Sequence, residues 1–154
     1  MPPRNPKRGA HRCAGLVAVC LIGWTAAAFA GGYDGTTPLA GVTAKVVEVN
    51  RYRVVENVDP ERIGLPKSFE IDFAAGVIRP SKESLVRKVA TIGSVAHVEN
   101  SLVLQGIDEG VEGVEDSLAW SLTISKTNGD AMLSASGKGV AYVVYGRCTP
   151  IPDR

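Results

Sequence analysis

The chain has 154 residues, with 17 Lys and Arg against 16 Asp and Glu, a formal net charge of +1, and 45% hydrophobic residues. A chain of that size can bury one core of its own without needing a metal or a disulfide framework. The balanced charge lacks the clustered Lys and Arg that nucleic acid or an anionic surface would require, so neither is expected as a partner.

The charge is unevenly placed. Arg4, Lys7, Arg8 and Arg12 form a positive stretch, and no acidic residue occurs before Asp34. An apolar run follows from Ala14 and ends in Ala28-Phe29-Ala30. A positive end, an apolar middle and a small-residue exit make a secretory signal peptide over residues 1–30. Cleavage is expected between Ala30 and Gly31, with Ala28 and Ala30 as the small residues that a peptidase reads. Val19 before Cys20 departs from a lipoprotein signal. The apolar run is also shorter than the roughly 20 residues of a membrane span, so no stable insertion is expected after cleavage. The protein is therefore expected to be exported, to a periplasm or the medium. Residues 31–154 keep 13 basic and all 16 acidic residues, a net charge of −3, with one cysteine (Cys148), one histidine (His97) and one tryptophan (Trp120).

Residues 31–40, opening GGYDGTTP, read as a flexible leader. Residues 41–150 read as a single β domain and 151–154 as a short tail. AKVVEVNRYRVVE (44–56) is long and β-branched, and its alternation slips at Val46-Val47 and Val54-Val55, which predicts bulges. SFEIDF (68–73) alternates cleanly, with Phe69, Ile71 and Phe73 on one face, and the AAG after it leads into VIRP as a hairpin. In SKESLVRKVATIGSVAHV (81–98) the β-branched residues favour a strand over 84–92, with one short helix as the alternative. SLVLQG (101–106) is a short apolar strand. AWSLTIS (119–125) turns Trp120, Leu122 and Ile124 inward. Asn128-Gly129 then predicts a two-residue type I′ hairpin. GVAYVVYG (139–146), apolar on both faces, reads as a central strand. The sum is an all-β fold, an antiparallel meander of about eight strands forming a small sandwich or barrel.

Cys148 admits three readings: a nucleophile with His97 as base, an intermolecular disulfide linking a homodimer, or a small buried hydrophobe ending the last strand. The last is favoured, since no local motif surrounds either residue and Cys148 shares a face with Tyr142 and Val144 on alternation. GIDEGVEGVEDS (106–117) places five carboxylates, Asp108, Glu109, Glu112, Glu115 and Asp116, among glycines. A hard cation such as Ca²⁺ takes six to eight oxygens from such a loop, although the Asp-x-Asp-x-Asp-Gly register of an EF-hand is missing. The plainer reading is a hydrated acidic connector, or a docking site for a basic partner. No GxSxG, GxGxxG, P-loop or HExxH occurs, so no catalytic residue is assigned and no cofactor is expected.

LSASGKGVAY (133–142) resembles the Ser-Gly-x-x-Tyr stretch of the small periplasmic c-type lysozyme inhibitors, which are exported eight-stranded β proteins. The spacing from Ser136-Gly137 to Tyr142 is longer here and the tryptophan precedes the stretch, so none of that family's functional residues is carried over. The expected role is an exported, non-enzymatic β module that binds an unknown protein or small molecule, or that packs in the cell envelope. The alternatives are an inhibitor of an envelope or host enzyme, which SASGKG (134–139) or the acidic loop would serve as a projecting loop, and a calcium-binding or thiol-dependent protein.

Overall fold

A computed structural model of the chain describes residues 32–109 and 117–152. The stretch read as a signal peptide, its cleavage residues Ala28, Ala30 and Gly31, and Glu112, Glu115 and Asp116 of the acidic segment lie outside the described residues. Ten strands are described: β1 (Leu39–Asn50), β2 (Val54–Glu56), β3 (Ser68–Asp72), β4 (Val77–Pro80), β5 (Ala90–Thr91), β6 (Ser94–Val98), β7 (Ser101–Asp108), β8 (Leu118–Ser125), β9 (Asp130–Gly137) and β10 (Val140–Pro150). A single 3-10 turn, Pro60–Ile63, starts under an Asp59 cap and stops at Gly64, which adopts the left-handed conformation. No described helix is long and apolar enough to cross a membrane.

The strands form one antiparallel sheet in the order β5-β4-β3-β1-β10-β9-β8-β7-β6, with β2 folded back on β1, and the sheet curls into a half-barrel. The first long strand thus pairs with the last. The count is ten where about eight were expected, for two physical reasons. Asn50 turns β1 sharply, its side-chain oxygen accepting the N–H groups of Tyr52 and Arg53, so residues 44–56 make two strands. The expected strand over 84–92 is strand only at Ala90–Thr91. There the chain changes partners: Ile92 N–H donates to Gly76 O and the next residue, Gly93, donates to Gln105 O on β7. Residues 84–89 form neither helix nor strand.

The bulge in β1 falls at Thr43–Lys45, ahead of the expected slip. Thr43 leaves the regular ladder because its N–H and hydroxyl donate to Lys67 O and Pro66 O at 2.8 and 2.9 Å. The β8–β9 turn also differs from expectation. It holds four residues, 126–129, and Gly129 N–H donates to Ser125 O; among residues 126–129 only Gly129 has positive φ, at 75°. A side chain there would collide with the Tyr33 hydroxyl and the Cys148 carbonyl.

Alternation places the core as read. Trp120, Leu122 and Ile124 are buried on β8 and Ile71 on β3, and Phe69 and Phe73 pack against them. Leu39, Ile71, Leu102, Leu104, Ile124 and Cys148 are completely buried and plug one end of the curl. Each large aliphatic side chain contributes about 1.5–3 kcal/mol on leaving water. Tyr33, from the segment read as a leader, joins this plug, and its hydroxyl donates to Cys148 O at 3.0 Å.

Candidate functional site

Beyond the plug the same strands turn small or aromatic. On β7, Leu102 and Leu104 give way to Gly106; on β10, Cys148 gives way to Gly146 and Val144; β9 presents Ala131, Leu133 and Ala135. These positions leave an apolar cavity of about 120 Å³, walled chiefly by Phe69, Ile78, Leu118, Trp120, Leu122 and Val144. A cavity of that order holds a benzene-sized molecule.

Its two aromatic walls are built alike. Trp120 stands directly across from Gly106 and Phe69 directly across from Gly41 in the strand ladders. A β-carbon at Gly106 would collide with the Cε2–Cζ2 edge of the indole, and one at Gly41 with the ring of Phe69. Each ring therefore lies flat over a glycine of the neighbouring strand, a cross-strand pairing that fixes ring orientation. Trp120 is 8% exposed, and its Nε1 is the buried side-chain polar atom left without a partner among the described residues. A buried indole N–H normally finds an acceptor, and leaving it unmet costs about 1–3 kcal/mol.

The cavity opens past Gly64, Lys88, Asp108 and Leu118, which it shares with a vestibule of about 570 Å³. The vestibule is rimmed by charge: Asp59, Glu61, Arg62 and Arg87 stand around it. Lys88 and Asp108 are ion-paired across the opening. The rim loop after β4 is tied down by Glu61, whose carboxylate accepts Leu85 N–H at 3.0 Å and the Ser84 hydroxyl at 3.4 Å and meets Lys67 Nζ at 3.1 Å. The Leu85 amide, then the Lys67 ammonium, hold the Glu61 carboxyl below the usual glutamate range, and Glu61 and Asp59 in turn raise Lys67.

The residues singled out from sequence fall apart in space. Cys148 is completely buried and carries no disulfide, and desolvation pushes its thiol up to about 12. A link to a second chain through that sulfur would require the end of β10 to open. His97 is exposed on β6, near Gly35, and no hydrogen bond joins it to Cys148. Asp108 belongs to β7, inside the cavity mouth, and Glu109 is exposed beside it. Among the described residues no group of three His, Cys, Asp or Glu side chains could hold a metal ion. SASGKG, expected to project as a loop, is β9 through Gly137, with only Lys138-Gly139 in the turn.

The cavity residues went largely unread in the sequence. Trp120 was placed inward, but nothing marked Lys88, Leu65 or Pro66 as its neighbours. The available signal was pairing: a glycine opposite an aromatic on adjacent strands, twice, beside an inward row of alanines on β9. Comparison with family models, curated proteins and solved structures gives no match for this chain.

Proposed function

We propose that this is a non-enzymatic binding protein that works in or beyond the cell envelope. In this reading the sheet acts as an eight-staved barrel and holds one small apolar molecule. Counting β5 and β6 as one strand interrupted at Ile92-Gly93, and β2 as an appendage, gives eight staves in sequence order. Eight strands enclose just enough room for packed side chains or one small ligand. The observation that carries the reading is the combination of an apolar cavity with a charged vestibule. Ligand pockets are mostly apolar concavities with a few polar groups that fix orientation. Export rests on the residue pattern of 1–30.

The test is calorimetric titration with toluene, a probe of cavity size, on the parent chain and on Ala135→Leu, which fills the space with side chain. The expected result is saturable one-to-one binding that is lost in the variant while its thermal midpoint holds or rises. Absence of saturable binding, or binding indifferent to Ala135→Leu, would overturn the assignment.

A further inference from the structure

The chemistry of the cavity wall narrows the ligand. Resting on the binding role above, we propose that the natural ligand is a neutral, ring-sized molecule with one hydrogen-bond acceptor, of the cyclic ketone or lactone class, and that Trp120 Nε1–H donates to it. The wall is apolar except at the mouth, and Nε1 is a buried donor with no acceptor among the described residues. The indole is seated over Gly106 and walled by Leu118 and Leu122 of its own strand, so it cannot turn its N–H toward solvent without leaving that seat. A water molecule is a poor substitute, because a buried water needs two to four polar partners and the deep wall is apolar.

Neutrality follows from the same wall. An unpaired charge inside an apolar space is strongly disfavoured, and the charges nearest the cavity, Lys88 and Asp108, are paired with each other at its mouth. Size follows from the volume of about 120 Å³. A pure hydrocarbon would fit that volume equally well but would leave Nε1 unmet; an oxygen acceptor on the ring would complete it.

The experiment compares cyclohexanone with methylenecyclohexane, its near-isostere without an acceptor, on the parent chain and on Trp120→Phe. The variant keeps an aromatic wall and removes the donor. The expected result is that Trp120→Phe weakens cyclohexanone by about fivefold or more, the worth of one buried hydrogen bond, and leaves methylenecyclohexane nearly unchanged. A second measurement needs no variant at position 120. In the ¹⁵N-labelled chain, the Trp120 indole proton should move downfield with cyclohexanone and stay with methylenecyclohexane; Trp24→Phe assigns which of the chain's two indole signals is which. If both compounds bind and the two are affected alike, the donor role is wrong while the cavity assignment stands. If neither binds, the cavity assignment fails and takes the donor role with it.

Discussion

Cys148 shows how one side chain can look chemical in sequence and be structural in the fold. A thiol reacts as thiolate, and desolvation in the plug opposes ionisation, raising Cys148 from an ordinary 9.0 to about 12. Tyr33 beside it is raised for the same reason, with Cys148 adding to the effect. A raised folded-state value favours the neutral thiol of the native state, so its contribution is fully present below about pH 9 and is lost as the pH climbs toward 12. Stability between those limits should fall by up to about 1.4 kcal/mol per pH unit for this group. Urea midpoints at pH 8, 10 and 11 check this: the decline should be steeper in the parent than in Cys148→Ala, and equal slopes would refute it. A neutral aromatic disulfide reagent should also leave the native thiol untouched and label it only once urea has unfolded the chain.

At the scale of elements, the rim loop 81–89 depends on contacts far away in sequence. It has little regular structure, and Leu85 is 79% exposed, yet Glu61 of the 3-10 turn holds its backbone. The lowered Glu61 value means that this tie is present above the ordinary glutamate range and lost as the pH falls through the folded-state value. Glu61→Ala should raise amide exchange at Leu85 by about tenfold or more at neutral pH, because a local opening then needs no bond broken. It should also speed toluene release while leaving exchange at Ile124 in the plug unchanged; unaltered exchange at Leu85 would sink the assignment. This loop is also where sequence reading ran out. Period-2 alternation identified SFEIDF and AWSLTIS with the correct faces because their partners simply cover one side. The 84–92 stretch has strand composition, but its residues are held by a side chain 24 positions away, and no local pattern reports that. The cavity was illegible for the same reason: it depends on Gly106 standing opposite Trp120 and Gly41 opposite Phe69, which needs the register between strands. Register comes from the turns, and the 126–129 turn proved two residues longer than Asn128-Gly129 suggested.

The whole molecule turns on how the two ends of the sheet meet. β5 and β6 close the strand order at opposite ends, yet only Ile92 and Gly93 separate them in the chain. Their N–H groups donate to Gly76 O and Gln105 O at 2.9 and 2.8 Å, so successive residues bond to the two ends of the sheet. An open edge would invite pairing with another chain, and Val95 and Val98 on β6 are exposed apolar residues that would favour it. Gly93→Ala should be tolerated, since a β-carbon there meets Gln105 O only at 3.4 Å. Gly93→Pro removes the N–H and with it the bond to β7. Gly93→Pro should therefore cost about 1–3 kcal/mol, the penalty of an unmet buried acceptor together with lost strand contacts. It should also speed amide exchange along β6 and β7 more than along β9 and β10, and shift the chain toward dimers in sedimentation at high concentration. Because the cavity depends on the curl being held, toluene affinity should fall in Gly93→Pro and persist in Gly93→Ala. If both variants behave as the parent, the two ends of the sheet act independently and the curl is maintained by the plug alone.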